Sequence, residues 1–162
     1  MNKTFKVILS RSEDQLFTYS CLALSLCYVA LVLHLPVTFL PLAQHDDGWF
    51  ISKAASIFSG EWFGSYNQNT LIKGGAYPLF LAVNRLIGLP ITLSQALLFC
   101  GAVMFIGYAC RRLGLNWILA LICVALIMFQ PALFPVRITR ENIYSSLMLI
   151  SLASFIFQTT SV

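Results

Sequence analysis

Charge is scarce in this chain of 162 residues. Lys and Arg number 10 and Asp and Glu 6, together 10% of the sequence, where ordinary soluble domains carry about 25%. That scarcity excludes a soluble domain with a charged shell. The net charge of +4 is small and spread along the chain, so there is no basic patch of the kind nucleic-acid binding needs. The sequence has no internal repeat, no low-complexity tract, no soluble linker and no nucleotide-binding fingerprint. It also lacks CxxC. Its five cysteines, Cys21, Cys27, Cys100, Cys110 and Cys123, all lie within apolar runs. They read as small packing residues, and neither a metal site nor a disulfide framework is inferred from them.

What fills the chain is apolar surface. Hydrophobic residues make up 59% of it, 13 of them Phe, and the mean hydropathy is +0.82. The fold class implied is an all-α integral membrane protein with about four transmembrane helices, since one span takes roughly 20 apolar residues. The runs place spans at about 16–35, 92–110, 117–134 and 142–160 in a single transmembrane domain over 1–162. The first run is longer than the apolar core of a signal peptide, and Pro41 spoils the cut site after Ala43, so it is read as a span. Between the first two spans lies a long segment, 36–91, that is too polar to cross. Within it Trp49–Ser59 has a helical period, with Phe50, Ala54, Ile57 and Phe58 on one face and Ser52, Lys53, Ser56 and Ser59 on the other. Gly60 is its natural stop. Tyr77–Leu89 reads as a short apolar helix, interfacial or re-entrant. Both suit a membrane surface.

Orientation follows from basic residues. Lys3, Lys6 and Arg11 precede the first span, and Arg111-Arg112 lies in the short turn between the second and third. Five Lys/Arg fall on each side in total, but those flanking the first span and in the short turn weigh most. The positive-inside rule then makes the N-terminus cytoplasmic. Segment 36–91 and the turn Phe134–Glu141 share the outer face.

Most of the ionisable side chains with chemical potential converge on that face. Asp46 and Asp47, adjacent acids in His45-Asp46-Asp47-Gly48-Trp49-Phe50, come from the first outer segment, with Lys73 of Lys73-Gly74-Gly75. Arg137, Arg140 and Glu141 come from the second. Such groups near a bilayer are costly unless paired or functional. Each also has a plain structural role open to it. Asp46 or Asp47 suits a helix N-cap. Lys73-Gly74-Gly75 suits an ordinary turn. Arg137 and Arg140 suit snorkelling to headgroups, and Glu141 pairing with Arg137 at i, i+4. Trp49, Trp62, Tyr66 and Tyr77 read as interface aromatics, and His45, which beside the carboxylates would suit a ligand or proton carrier, as a solvated histidine.

The order of these pieces resembles a known family. His45-Asp46-Asp47-Gly48-Trp49-Phe50 is followed by Ser59-Gly60-Glu61-Trp62-Phe63-Gly64, Tyr66-Asn67, Thr70-Leu71-Ile72-Lys73-Gly74 and Tyr77-Pro78-Leu79-Phe80-Leu81. Arg137-Ile138-Thr139-Arg140-Glu141-Asn142-Ile143-Tyr144 comes later. The series, over roughly Gln44–Tyr144, resembles the first outer segment and the Arg/Glu element of GT-C membrane glycosyltransferases, of the protein O-mannosyltransferase and aminoarabinose lipid A transferase type. One departure is Lys73-Gly74-Gly75-Ala76-Tyr77-Pro78, where the family often has Pro after Lys-Gly. The family also has further spans after a fourth, so the resemblance implies the N-terminal portion of a larger fold, with a second polypeptide or further sequence to complete it.

The resemblance implies transfer of a sugar from a polyprenyl-phosphate donor to an acceptor at the outer face, in a bacterial inner membrane. Asp47 or Asp46 would be the base, Glu141 a second acid, and Arg140 and Arg137, assisted by Lys73, the donor-phosphate cations. This chemistry is coherent. Attack at the anomeric carbon needs a base within about 3 Å. The phosphate leaving group needs cations more than a general acid. Asp46 and Asp47 with Glu141 would alternatively hold Mg2+ or Mn2+, which favour oxygen ligands. No nucleotide cofactor is expected; the expected partners are membrane lipid and the lipid-linked donor, without nucleic acid. Two rivals stand beside this reading: a non-catalytic subunit or remnant of such an enzyme, and a small lipid or sugar transporter. A transporter should carry ionisable groups at mid-membrane depth, and the spans are nearly free of them.

Overall fold

The computed structural model of the chain describes residues 3–37, 47–65, 74–135 and 140–160, with the side chains of 3–11, Asp47 and Asn142 left aside. Among the described residues the regular structure is entirely helical. The helices are α1 (Lys3–His34), α2 (Asp47–Phe58), α3 (Ala76–Ile87), α4 (Ile91–Arg112), α5 (Trp117–Met128) and α6 (Glu141–Thr159), with a 3-10 turn at Pro131–Leu133. Two stretches are long and apolar enough to cross a membrane, Ser12–His34 and Ile91–Arg112.

Helix α4 is the hub, packing against α1, α5 and α6 and lightly against α3. Its buried face is built of small residues, among them Ala96, Cys100, Ala102, Val103, Gly107 and Ala109. Small side chains let backbones approach closely, which is how apolar helices associate where no hydrophobic effect separates them from their surroundings. At Gly107 the approach is closest. A Cβ there would lie 2.6 Å from Val124 Cγ2 and 3.1 Å from Phe17 Cζ, so α1, α4 and α5 meet at a position with no side chain.

Two contacts fix the ends of the bundle. At one end Arg111 donates to Asp14 at 2.6 Å and lies 3.8 Å from Glu13. One turn inward, the Thr18 and Tyr108 hydroxyls share a hydrogen bond of 2.7 Å. The start of α1 therefore lies beside the end of α4. Arg112 sits over the Phe157 ring at 5.1 Å, and Phe157 stacks on Phe105, which brings the end of α6 to the same place. At the other end Tyr28, fully buried, is ringed by Phe99, Phe129 and Phe134 with centroids 5.5, 6.1 and 5.7 Å away. Helices α1 and α5 run one way, α4 and α6 the other.

The outward faces remain apolar. Leu22 and Leu26 on α1, Ile122 and Leu126 on α5, and Met148 and Phe155 on α6 are all exposed. Hydroxyls on α6 turn back into the helix: Ser145, Ser151 and Ser154 each donate to the carbonyl four residues earlier at 2.8 Å. A helix that is apolar all round and satisfies its own hydroxyls suits a hydrocarbon environment.

Two expectations about the elements need correction. The third span, read as 117–134, is helical only to Met128. Residues before proline avoid the helical region, and Gln130 ahead of Pro131 is extended, with φ −69° and ψ 115°. The 12 helical residues rise about 18 Å, short of a hydrocarbon core of about 30 Å. The second correction concerns α2. Lys53, placed with the polar face, is 6% exposed, and Phe58, placed with the apolar face, is 46% exposed. The stop at Gly60 is found: Gly60 has φ +84°, and the N–H groups of Gly60 and Glu61 bond the carbonyls of Ile57 and Ser56, a Schellman closure.

Gly107→Ala should destabilise the chain by about 1 kcal/mol, because overpacking outweighs the helix propensity gained. In a Val124→Ala background the same change should be neutral or stabilising. Thermal unfolding in detergent measures both, and an equal effect in the two backgrounds would contradict the crossing described.

Candidate functional site

The segment between α1 and α4 and the start of α6 meet at the end of the bundle opposite Arg111. Trp49 and Phe50 from the first turn of α2, Tyr77 from the first turn of α3 and Ile143 from the first turn of α6 form one buried cluster, flanked by Phe80, Leu81 and Leu98. The rings are edge-on, Trp49 to Phe50 at 5.4 Å and Phe50 to Tyr77 at 5.0 Å. Gln95 on α4 donates to the Tyr77 hydroxyl at 3.1 Å. The cluster brings three helix N-termini together, and the partial positive charge at such termini favours anions. Trp49 and Tyr77, read from sequence as interface aromatics, are instead buried parts of this junction, 8% and 0% exposed. Their spacing from Asp47 and Gly75 was visible in the sequence, but the cross-element contact was not.

The candidate residues are distributed around this junction. Asp47 opens α2, two residues before Trp49; its side chain lies outside the described residues, as do Asp46, Lys73 and Arg137 altogether. His45 and Tyr66 also lie outside them. Arg140 is the N-cap residue of α6 and Glu141 its first residue, so an acid stands in the first turn, where the helix dipole favours it. Arg140 Nε donates to Glu141 Oε1 at 3.4 Å, with the side chains 39% and 68% exposed. An exposed pair of this kind contributes at most about 1 kcal/mol, so the two side chains are free to re-pair with a ligand. Among the described residues no group of three His, Cys, Asp or Glu is placed to hold a metal ion.

Gly74 and Gly75, beside Lys73, have an architectural function. A Cβ on Gly75 would fall 2.3 Å from the Phe63 ring, and one on Gly74 would lie 3.5 Å from the Tyr144 hydroxyl. Phe63 thus occupies the space a side chain at 75 would need. Gly74 lies against α6, three residues beyond Glu141.

Sequence reasoning missed Lys53. Its ammonium donates to the carbonyls of Phe63 and Ser65 at 2.7 and 2.8 Å. These bonds hold a loop in which Trp62 has φ 53°, a conformation that L residues other than Gly, Asn and Asp seldom adopt. Such a residue persists when its surroundings over-determine it, and Lys53 supplies that constraint. Lys53 fixes the loop, the loop seats Phe63 on Gly75, and Gly75 begins α3. A basic residue at helical spacing from Phe50 and facing an aromatic-rich loop was the only signal available in the sequence. Compared with family models, curated proteins and solved structures, the chain matches none of them.

Lys53→Met should cost about 1.5–3 kcal/mol, the range for hydrogen bonds to a charged group, and should expose residues 61–65 to protease. Limited proteolysis with mass mapping is the check. Unchanged cleavage kinetics in this loop would mean that Lys53 does not hold it.

Proposed function

We propose that the chain is the N-terminal portion of a membrane-embedded GT-C-type glycosyltransferase, acting on a polyprenyl-phosphate-linked sugar at the outer membrane face. The membrane part rests on the two long apolar helices, the exposed apolar faces and the inward-satisfied hydroxyls of α6. In this reading the four apolar runs insert, with α5 and its proline turn together filling the third position, and α2 and α3 lie at the outer interface. The Arg111–Asp14 ion pair keeps the basic N-terminal segment and the Arg111-Arg112 turn on one side. That side is cytoplasmic under the positive-inside rule.

The observation that carries the functional reading is the shared cluster of Trp49, Phe50, Tyr77 and Ile143. It joins the helix start that bears Asp47 to the one that bears Arg140 and Glu141, although these lie far apart in sequence. In the proposed mechanism Asp47 or Asp46 takes the proton of the acceptor hydroxyl or amine as its lone pair attacks the anomeric carbon. The bond from that carbon to the donor phosphate breaks, and the phosphate leaves with the electron pair. Arg140, Arg137 and Lys73 neutralise the charge that develops on it, a role that oriented cations fill well in a water-poor site. Glu141 orients Arg140. Mg2+ or Mn2+ at Asp46 and Asp47 is the metal-dependent version, in which the ion would polarise the donor phosphate.

The test uses the protein with any sequence or partner that completes the fold. Asp47→Asn keeps a capping side chain and removes the base, so transfer from a polyprenyl-phosphate sugar should fall by roughly 10²–10⁴-fold. Asp46→Asn identifies the leading carboxylate. Arg140→Ala should lower transfer, with Arg140→Lys only a partial rescue because the ammonium lacks the guanidinium fork. Near-normal rates in both Asn variants and the double variant would favour the non-catalytic subunit. Disulfide trapping between cysteines at 47 and 140, and labelling of cysteines at 65 and 135 from outside, check proximity and orientation separately. Labelling of position 65 only from the cytoplasm would overturn the site.

A further inference from the structure

Helices α2 and α3 pack side by side, yet the seam between them is not closed. A groove of about 170 Å3 runs along it, lined by Ile51, Ala54, Leu81, Ala82, Arg85 and Ile91. Every lining side chain but one is apolar. The exception, Arg85, is exposed, and its guanidinium lies over the Phe58 ring at 4.4 Å from the centroid. Among the described residues Arg85 has no carboxylate partner. A second apolar groove of about 290 Å3, lined by Phe58, Leu79, Val83 and Leu86, shares Ala82 with the first. A cation with no carboxylate partner among the described residues therefore lines the first apolar groove, and Phe58 of the second lies beneath its guanidinium.

The location of the groove sets its depth. Ile91, which lines it, is the first residue of the membrane-length helix α4. The corner between α3 and α4 is tied down, since Asn84 donates to the Leu89 carbonyl at 2.8 Å and accepts from the Ser94 hydroxyl. A helix of 22 residues rises about 33 Å, close to a hydrocarbon thickness of about 30 Å. Its first residue then lies at the boundary between acyl chains and headgroups, and so does the groove.

We infer that the α2–α3 groove binds an anionic phospholipid of the surrounding bilayer, its phosphate on Arg85 and an acyl chain along Ile51, Ala54 and Leu81. The inference rests on the membrane reading of the fold and not on the transferase chemistry. Two features select this occupant. A soluble anion would not use the apolar lining, and a cation without an acid beside it favours a headgroup of net negative charge over a zwitterionic one, whose own ammonium offsets its phosphate. Guanidinium suits phosphate because its fork matches two oxygens at once.

Native mass spectrometry of the full chain released from mixed micelles gives the test, with phosphatidylglycerol and phosphatidylcholine at equal concentration. Phosphatidylglycerol should be retained about fivefold over phosphatidylcholine, the factor one basic residue gives at an anionic surface. Arg85→Gln should abolish the preference, and Arg85→Lys should keep most of it. Ala54→Leu should reduce retention of both lipids by filling the groove. Circular dichroism confirms that each variant is folded, and Arg85→Gln, on an exposed residue, does not depend on core packing. Equal retention of the two lipids by the parent chain would overturn the inference, as would displacement of the bound lipid by glycerol phosphate alone or a dimer seated on this face. A chain that stays soluble without detergent or lipid overturns the membrane reading as well. One that enters bilayers without preference for the anionic lipid overturns the groove assignment alone.

Discussion

The close approach of three helices at Gly107 is the constraint on which the rest of the structure depends. Helices as apolar outside as these associate through contact density wherever their surroundings are apolar too. The small residues of α4 provide it. Because Val124 and Phe17 come up against the bare backbone at Gly107, α1 and α5 both lie close on α4. That closeness puts Thr18 within reach of Tyr108, and Asp14 within reach of Arg111. The Tyr28 cluster at the far end follows from the same registration, since α1 cannot shift along α4 without breaking all three contacts.

The polar end of the molecule is organised by a different logic. There the chain uses a buried cation where the bundle uses close packing. Lys53 satisfies two carbonyls of a loop that has no regular hydrogen-bond ladder of its own, and a buried ammonium needs such partners. The aromatic junction of Trp49, Phe50 and Tyr77 then spans the gap between α2, α3 and α6. The two devices meet at Leu98, which is part of α4 and packs on the junction. The aromatic junction beside Asp47, Arg140 and Glu141 is therefore attached to the hub helix α4.

The parts of this organisation that were legible in the sequence are those governed by local rules. Apolar runs gave α1, α4 and α6 to within a few residues, apart from the extension of α1 back to Lys3, because length and hydropathy need no knowledge of partners. Gly60 was legible as a stop because a left-handed C′ residue is a backbone requirement. Lys53, Phe58 and Tyr77 were misread for one reason: their environments are created by other elements. Lys53 sits at a polar position of α2, and only the returning loop buries it. Phe58 sits on the apolar stripe, yet it is left 46% exposed, with Arg85 of α3 over its ring. The third span, α5, was read too long because its hydropathy continues through Pro131 although its helical backbone does not. Within the candidate site, the grouping of Asp47 with Arg140 and Glu141 at one end came from counting spans, a topological argument. Their side-chain geometry depends on packing that no count can supply.

The contact between Phe63 and Gly75 has a consequence for inheritance. A ring that fills the volume of an absent Cβ makes the two positions one unit: a side chain at 75 expels the aromatic, and loss of the aromatic leaves a hole that a side chain at 75 could then occupy. Selection acting on either site is felt at the other. Descendants of this sequence should therefore change the two together or neither, so that covariation between 63 and 75 is a fingerprint by which distant kin could be recognised even after the charged residues had diverged.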